Sequence, residues 1–582
     1  MIDLNPQRQA YINARGKVVL NACPGSGKTT TIAYKLHTLV EKEYKSINKG
    51  GIACLSFTNV AKDEINQKYI EFSKKTLSYP NITSTIDSFI NTYITLPFYY
   101  LFSGRYERPN ILDKNSDLDS FHINELWDYK KRKHKHLNRE NNPLIYIYKP
   151  SSIVKDLDGN YTSNGNIPDA LKVDINVFND YAKTIKTWQF EKGILTNSDS
   201  TVLAYNILCK YPQVTIALAK RFSYIMVDEA QDTSEIQHSI FDKLIENGME
   251  NIELIGDPYQ SLYMWRNAKP KVFITKYSDP YWQGLDLSDN WRSTQKIIDT
   301  YSLLRNSKDE IISAKKQSDI EHPIYVLTFE EGNETEALDK YHKLCICYKE
   351  NQVVTRGIDL SEKLSGTSQN NNNYWKNPLG LKIINSITDL NNGNIKSAID
   401  NFRSIIIDIT YKKISYKEKR EKLKELKGDY NLNAKLNKLL IEIADFNIIL
   451  AEWTKKTTEK LSDFSELTSP LELELKKGSF SPNHKILMSD LFLEKKMKWN
   501  FPISTIHKVK GMTLDTTLLF LHKNRHSISL ADITPCNGEL TENQTMIYVA
   551  MSRPRYLLAI AIENTVGTDK IIEKLGNNIK II

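Results

Sequence analysis

A glycine-rich stretch near the beginning of the chain has the residue types needed to bind phosphate groups. Residues 22–30 read ACPGSGKTT, and glycines at this spacing let backbone N–H groups close around phosphate oxygens. Lys28 could reach the β- and γ-phosphates of a nucleotide, and the hydroxyl of Thr29 could ligate Mg²⁺. The predicted nucleotide-binding residues of this loop are Pro24, Gly25, Ser26, Gly27, Lys28, Thr29 and Thr30.

An acidic pair in the middle of the chain could supply the rest of the chemistry of phosphate hydrolysis. Asp228 and Glu229 follow an apolar run at residues 224–227 that reads as a strand. Asp228 would hold Mg²⁺, and Glu229 would orient and deprotonate the attacking water. An isolated Asp-Glu pair is commonly only a surface turn, but a pair that ends a strand in a chain with a phosphate-binding loop favours the catalytic interpretation.

A third segment, GDPYQSLYMWRNA at residues 256–268, combines polar residues with two aromatic ones. Tyr263 and Trp265 are two positions apart, so in an extended backbone both rings project to the same side. Nucleic-acid bases stack on such a platform regardless of base identity. Taken alone, the same spacing also fits a buried aromatic pair after a strand.

These polar segments need a scaffold that brings them together. Apolar runs at residues 18–21, 224–227 and 252–255 each read as a strand ending where a polar segment begins. Apolar residues recur at helical spacing after the glycine-rich loop, at Ile32, Leu36, Leu39 and Val40. Strand, glycine loop and helix in this order are the context that phosphate binding requires.

Composition excludes several classes of protein. The 582 residues are too many for one hydrophobic core. A net charge of +8 permits a polyanionic partner without requiring one. Six scattered cysteines without a CxxC pair argue against a zinc ribbon or a disulfide framework and favour the cytoplasm. The polar N-terminus and the absence of a long apolar run predict neither a signal peptide nor a membrane span.

The order of these segments resembles the UvrD/Rep branch of superfamily 1 helicases. Gln7-Arg8 is similar to the Q motif, residues 22–30 to motif I and residues 227–232 (VDEAQD) to motif II. The remaining motifs are matched by residues 55–65 (Ia), 85–89 (Ib), 256–268 (III), 289–293 (IV), 504–515 (V) and 548–555 (VI).

The resemblance implies an α/β fold with two RecA-like P-loop domains, ATP and Mg²⁺ between them, and a mainly helical insertion in each. The first domain would comprise residues 1–104 and 197–278, with its insertion at 105–196. The second would comprise residues 279–375 and 495–582, with its insertion at 376–494.

The resemblance also assigns residues to the nucleotide. Gln7 would read adenine and Trp291 would stack on it, while Gly511 would also line the nucleotide site. The catalytic residues would be Lys28, Asp228, Glu229, Gln260, Arg292 and Arg553, the last three at the γ-phosphate.

On the nucleic-acid side, Thr58, Asn59 and His507 would contact single-stranded DNA, and its bases would stack on Tyr263 and Trp265. The activity implied is ATP-driven 3′→5′ movement on single-stranded DNA with separation of duplex DNA.

Two positions depart from the family pattern. Asp87 stands where motif Ib commonly has histidine, and Thr513 stands where motif V usually has a glutamate on the ribose. Compact UvrD-like chains with Lys-Gly-x-Thr in motif V resemble the helicase-like subunits of anti-phage systems such as Gabija, which work beside an OLD-family nuclease with a TOPRIM domain. The alternatives are a DNA- or nucleotide-sensing ATPase that regulates a partner nuclease, and a DNA-repair helicase.

Overall fold

The computed structural model describes most of the chain, which divides into two compact units. Unit 1 comprises Met1–Arg356 and Ser504–Ile582, and unit 2 comprises Gly357–Ile503. The described residues are 3–44, 50–104, 106–112, 148–156, 158–163, 167–168, 174–262, 268–315, 321–365, 374–391, 393–410, 416–464, 473–476, 486–492, 499, 501–522, 527–536 and 538–582.

The secondary structure alternates strands with helices through most of unit 1. The strands are β1 (Lys17–Ala22), β2 (Gly51–Ser56), β3 (Ile82–Thr85), β4 (Asn110–Leu112), β5 (Ile153–Lys155), β6 (Tyr161–Ser163), β7 (Ile194–Thr196), β8 (Phe222–Asp228), β9 (Asn251–Gly256), β10 (Gln283–Leu287), β11 (Asp289–Asn290), β12 (Ser313–Ala314), β13 (Ile324–Phe329), β14 (Asn351–Thr355), β15 (Ile503–Thr505), β16 (Leu514–Phe520), β17 (Pro554–Glu563) and β18 (Ile579–Ile581). The helices of unit 1 are α1 (Pro6–Asn13), α2 (Lys28–Lys42), α3 (Asn59–Ser73), and those at Ile86–Ile90, Leu96–Phe98, Tyr100–Ser103, Ile175–Glu191, Asn197–Lys210, Pro212–Arg221, Glu235–Glu246, Pro270–Ser278, Gln295–Ser302, Glu334–Cys345, Glu542–Met551 and Thr568–Leu575.

The first sheet of unit 1 has the strand order β10-β1-β9-β8-β2-β3, and all its pairings are parallel. Its inner strands are almost entirely buried, because helices pack on both faces and form two separate hydrophobic clusters. Parallel strands end at the same edge, so the loops after β1, β2, β8 and β9 lie together.

The second sheet of unit 1 has the order β15-β14-β16-β17-β13-β18, and the pairings described for it are parallel. One hydrophobic cluster joins it to the first half of the chain, since Tyr259 and Leu262 pack in the same core as Ile506 and Val509. Two parallel sheets flanked by helices confirm the predicted α/β class.

The first sheet extends beyond residue 278, where the predicted first domain ends. Strand β10 pairs in parallel with β1, from Val18 opposite Gln283 to Ala22 opposite Leu287. Its sequence, QGLDL, has only two apolar residues, and at the sheet edge only its last residue, Leu287, is buried. An edge strand with so little apolar surface gives a weak sequence signal, which explains why the sequence did not predict this strand.

Between residues 105 and 196 the described part of the chain is not only helical. A short antiparallel hairpin joins β5 to β6, and β4 pairs in parallel with β7. The helix Ile175–Glu191 buries Phe178, Tyr181 and Ile185 against this region.

Unit 2 is helical, and the predicted insertion at residues 376–494 lies within it. Trp375 and Trp453 are almost fully buried in its core with their rings edge to face, 5.7 Å apart. The indole N–H of Trp375 donates to Thr454 Oγ1 at 3.1 Å. The helices of this unit are Ile358–Ser365, Leu379–Asn391, Ile395–Thr410, Tyr416–Gly428, Tyr430–Glu442, Leu450–Ser462 and Met488–Phe492. Throughout the described residues of both units, the helices are too short or too polar to cross a membrane.

Candidate nucleotide and nucleic-acid site

The glycine-rich loop turns sharply between β1 and α2. Gly25 has φ +74° and Gly27 has φ +77°, values in the left-handed region that glycine tolerates best. At Gly25 a side chain is also excluded by space, since a Cβ atom there would lie 2.7 Å from Arg292 Cβ and 2.8 Å from Asn290 Oδ1. The loop therefore needs glycine both for its conformation and for the close approach of a later segment.

That later segment is the DNWRS sequence at residues 289–293. Asn290 Nδ2 donates to the carbonyl oxygen of Pro24 at 2.6 Å, and the N–H of Trp291 donates to that of Gly25 at 2.9 Å. Asn290 Oδ1 accepts hydrogen bonds from the N–H groups of Arg292 (2.7 Å) and Ser293 (2.9 Å). Asn290 thus fixes Arg292 beside the loop. It was not among the site residues predicted from the sequence, although it lies within motif IV.

Lys28, the first residue of α2, meets both predicted acidic residues. Its Nζ lies 2.7 Å from Asp228 Oδ1 and 2.6 Å from Glu229 Oε1. Burial alone would lower the pKa of Lys28, but the two carboxylates raise it above its usual value. Burial raises the pKa of Asp228 despite Lys28. For Glu229, the charges of Lys28 and Lys510 outweigh burial and lower the pKa to about 2, so Glu229 is ionised.

The donor set around Lys28 suits a hard cation. Asp228 ends β8 and Thr29 follows Lys28, so a carboxylate and a hydroxyl stand near the loop that would hold phosphate. Oxygen ligands of this kind, completed by water and phosphate oxygens, are what Mg²⁺ prefers. The residues present therefore fit the predicted ion.

Glu229 is held in an unusual backbone conformation. Its φ of 56° and ψ of 39° lie in the left-handed region, which few residues other than glycine adopt and which recurs at functional sites. The side-chain amide of Gln231 donates to Glu229 Oε2 and accepts from the N–H of Asp257 at 3.2 Å. A Cβ atom at Gly256 would lie 2.0 Å from Gln231 Oε1. Gln231, which was not predicted as a site residue, thus orients Glu229 and relies on Gly256 for space.

Unit 1 has two halves, one built on the first sheet and one on the second. Gln260 of the first half and Arg553 of the second half are in contact. Arg553 Nη2 donates to Gln260 Oε1 at 2.7 Å and to Ser552 Oγ at 2.7 Å. Its Nε donates to the carbonyl oxygen of Val549 at 2.9 Å. Burial, with Arg292 nearby, lowers the pKa of Arg553 to about 9, so its guanidinium stays charged at neutral pH.

Arg292 belongs to the same group of side chains. Its Nη1 donates to the carbonyl oxygen of Ser552, the neighbour of Arg553, at 3.0 Å. The structure therefore gathers five of the predicted catalytic side chains into two clusters and places Arg292 between the glycine-rich loop and Arg553. The first cluster contains Lys28, Asp228 and Glu229, and the second contains Gln260 and Arg553.

The predicted base-reading residues, Gln7 and Trp291, are hydrogen-bonded to Ser288 and to the loop residue Gly25, respectively. Gln7 Nε2 donates to Ser288 Oγ at 2.8 Å and to Glu310 Oε1 at 3.2 Å, and its Oε1 accepts from the N–H of Ser288 at 2.9 Å. The guanidinium of Arg8 lies 5.0 Å from the ring centre of Trp291. Arg8 also donates to the carbonyl oxygen of Ser26 at 2.8 Å, so it links α1, the loop and the predicted stacking ring.

A buried ion pair anchors α1 beneath this region. Lys35 and Glu253 are both fully buried and paired. Lys35 Nζ donates to the carbonyl oxygen of Tyr11 at 2.7 Å, and Tyr11 Oη donates to Glu253 Oε2 at 2.7 Å. These bonds satisfy the buried charges and hold α1, which carries Gln7, against α2 and β9.

The predicted DNA-contacting residues lie in different segments of the chain. Thr58 Oγ1 accepts from the N–H of Ala61 at 3.2 Å and caps α3, and Asn59 is exposed. His507 lies in the 3₁₀ turn Ile506–Val509, and burial lowers its pKa. Among the described residues no hydrogen bond joins Thr58 or Asn59 to His507. Tyr263 and Trp265 lie outside the described residues.

Gly511 and Asp87 complete the predicted positions. Gly511 has φ +81° and open space around it. Asp87 Oδ1 accepts a hydrogen bond from Gln237 Nε2 at 2.9 Å. The carboxylate of Asp87 therefore already has a partner within unit 1.

Comparison with known proteins accounts for most of the chain. Residues 4–280 match the UvrD/REP helicase N-terminal domain, and residues 332–565 match the UvrD-like helicase C-terminal domain. The ATP-dependent DNA helicase Rep of Buchnera aphidicola subsp. Schizaphis graminum is 23% identical over 94% of this chain and 91% of that protein. A probable DNA helicase II homolog of Mycoplasma genitalium is 23% identical over 97% of this chain and 85% of that protein. DNA helicase II of Haemophilus influenzae is 25% identical over 52% of this chain and 40% of that protein.

The two matched domains correspond to two halves that each contribute a parallel sheet; the first half supplies Lys28 and Gln260, and the second supplies Arg553. The chain belongs to the UvrD/Rep family of ATP-dependent DNA helicases.

Proposed function

We propose that this helicase hydrolyses ATP with Mg²⁺ to move 3′→5′ along single-stranded DNA and to separate duplex DNA. The observation that carries this proposal is the pairing of Gln260 with Arg553 beside the Lys28 cluster. Residues from both halves of unit 1 would then surround one nucleotide. A site built from two halves couples the state of the nucleotide to their relative position.

In this proposal Lys28 leaves its two carboxylates to bind the β- and γ-phosphates. Thr29 and Asp228 would hold Mg²⁺, which would neutralise phosphate charge. Glu229, ionised and oriented by Gln231, positions the attacking water and accepts its proton. Arg292 and Arg553 stabilise the negative charge that develops on the transferred phosphoryl group, and Gln260 contacts the γ-phosphate.

Base recognition would come from α1 and the DNWRS segment. The amide of Gln7 is held by two hydrogen bonds to Ser288 and would pair with the adenine edge. Trp291 would stack on the adenine ring, and Arg8 of α1, whose guanidinium lies over the Trp291 ring, is bonded to the loop at Ser26. Gly511 would border the nucleotide from the second half of the chain.

DNA would be contacted on the far side of these segments. The turn at Pro258–Gln260 leads within a few residues to Tyr263 and Trp265, so one segment would meet both phosphate and bases. Base stacking there would contribute about 1–3 kcal/mol per base. Thr58, Asn59 and His507 would contact the strand beside it.

The test is ATP hydrolysis with and without single-stranded DNA, followed by strand separation on duplexes with a 3′ or a 5′ tail. We expect stimulation by single strands and unwinding of the 3′-tailed duplex. Unwinding only from the 5′ tail would refute the polarity. An ATP hydrolysis rate that is the same with and without single-stranded DNA would refute the proposed DNA-driven motor.

We further propose that the chain acts in bacterial anti-phage defence, in the cytoplasm, beside an OLD-family nuclease with a TOPRIM domain. The support is the Lys510-Gly-Met-Thr513 sequence in motif V. An adjacent nuclease gene, and a complex of the two purified chains, would bear this out. A gene that stands alone, or beside genes for DNA repair, would favour a repair helicase instead.

The sensing alternative is favoured by one observation. Asp87, which replaces a DNA-contacting residue of the family pattern, is bonded to Gln237 within its own domain. Strong stimulation of hydrolysis by DNA without unwinding of any tailed duplex would support a sensor that regulates its nuclease.

A further inference from the structure

One contact between the two halves of unit 1 involves a residue outside the predicted site. Lys510 follows the 3₁₀ turn Ile506–Val509, which carries His507. Its Nζ donates to Asp232 Oδ2 and, at 2.9 Å, to the carbonyl oxygen of Gln260. One ammonium group therefore reaches two separate segments of the first half of the chain.

The ion pair with Asp232 is buried. The Asp232 side chain is 1% exposed and that of Lys510 is 11% exposed. Within the described part of the chain, the other carboxylate oxygen of Asp232 has no hydrogen-bond partner. Since a buried carboxylate without a cation is costly, Asp232 depends on Lys510 remaining in place.

Both segments that Lys510 contacts lead directly to the nucleotide cluster. Asp232 ends the 3₁₀ turn Ala230–Asp232, which begins immediately after Glu229. Gln260 is the residue whose side chain accepts from Arg553. The charge of Lys510 also acts on Glu229 itself, where it favours the ionised carboxylate.

We propose that Lys510 is a positioning residue that makes ATP hydrolysis depend on DNA. By binding Asp232 and the backbone of Gln260, it docks the turn that carries His507 against the segments that carry Glu229 and Gln260. DNA bound at His507 then fixes the geometry in which Arg553 and Glu229 act. This inference rests on the proposed motor function, because it specifies how the DNA and ATP sites of that motor communicate.

The test is the hydrolysis rate of Lys510→Met, Asp232→Asn and the double variant, each measured over a range of ATP with and without single-stranded DNA. We expect kcat with DNA to fall about tenfold or more in each single variant, within the usual range of coupling between sites. The KM for ATP and the DNA-free rate should change by less than about threefold. Because the two residues act as one unit, the double variant should lose no more than either single variant.

Two controls separate positioning from a general structural effect. Lys508→Gln removes an exposed charge from the same turn and should leave the DNA-stimulated rate unchanged. Lys510→Arg keeps the cation and should restore much of the stimulation if Lys510→Met fails to fold.

The outcomes are distinct. If Lys510→Met and Asp232→Asn fold and are stimulated by DNA as strongly as the wild type, the positioning role is wrong while the motor stands. Equal loss with and without DNA would also overturn it, because it would show a structural defect. If the wild type itself ignores DNA, both the motor and the coupling fail.

Discussion

Arg553 Nη2 donates to Gln260 Oε1 at 2.7 Å, although the two residues are 293 positions apart in the chain. The two residues lie next to strands of different sheets, Gln260 shortly after β9 and Arg553 immediately before β17. Small shifts between the two halves would therefore change this contact directly. That property suits a contact that responds to the γ-phosphate.

Replacing Lys28 tests the phosphate-binding loop. Lys28→Ala should lower kcat for ATP hydrolysis by about 10² or more, the usual loss when a group that stabilises the transition-state charge is removed. Binding of single-stranded DNA, measured by fluorescence anisotropy, should remain close to that of the wild type. Lys42→Ala, at the exposed end of α2, is the matched control. A wild-type rate of ATP hydrolysis by Lys28→Ala would exclude this loop as the phosphate-binding site.

Replacing Arg553 tests whether the second half of the chain takes part in the reaction. Arg553→Ala should lower kcat by about 10³ or more, with a smaller change in the dissociation constant for ATP. Arg555→Ala is the control, because Arg555 is part-exposed and pairs with Asp515 at 3.1 Å. A loss of ATP affinity with kcat unchanged would show that Arg553 binds nucleotide without stabilising the transition state.

Gly25 offers a test of the close approach between the loop and the DNWRS segment. Gly25→Ala places a Cβ atom 2.7 Å from Arg292 Cβ in a left-handed conformation, so Arg292 or the loop must move and hydrolysis should fall by at least tenfold. Gly332→Ala is the matched control, since Gly332 has a similar φ of +83° with open space around it. That variant should cost only about 1–2 kcal/mol of stability and keep its activity.

The Asp232–Lys510 pair predicts a particular dependence of stability on pH. Burial raises the pKa of Asp232 to about 6, even with Lys510 beside it, whereas an unfolded aspartate titrates near 4. Between about pH 4 and pH 6, Asp232 therefore binds more protons in the folded state than in the unfolded state. The contribution of this group to stability is therefore fully present below about pH 4 and is lost as the pH rises through about 6.

The stability of the wild type relative to Asp232→Asn should therefore decrease by roughly 2 kcal/mol between pH 4 and pH 7. Denaturant unfolding of both proteins at the two pH values measures it. An increase toward pH 7 would mean that the ion pair stabilises the fold on balance. The predicted loss of stability toward pH 7 means that the ionised pair does not stabilise the fold on balance, since buried ion pairs often fail to recover their desolvation cost. Such a pair agrees with a role in positioning the two segments that it joins.

The sequence was sufficient where neighbouring residues determine the structure. The turn between β1 and α2 follows from glycines between an apolar run and a helical pattern, and the place of Asp228 and Glu229 at the end of β8 follows from the apolar run before them. Arg553 could be assigned only through the family resemblance, because no local pattern near residue 553 indicates a partner at residue 260.

Contacts that depend on how distant segments pack were not predicted. Lys510 and Asp232 are 278 positions apart, and each is an ordinary charged residue in its local sequence. Asn290, which bonds to Pro24, is polar yet fully buried, and only the folded arrangement shows why. The edge strand β10 was missed because few of its residues are apolar.

The most direct test of the motor is the ATP hydrolysis rate of the wild-type chain in the presence of a 3′-tailed duplex, with strand separation followed in the same reaction. The shared site predicts that hydrolysis rises with the single-stranded tail, that the strands separate, and that Arg553→Ala abolishes both. Hydrolysis unaffected by DNA, or unaffected by Arg553→Ala, would contradict it.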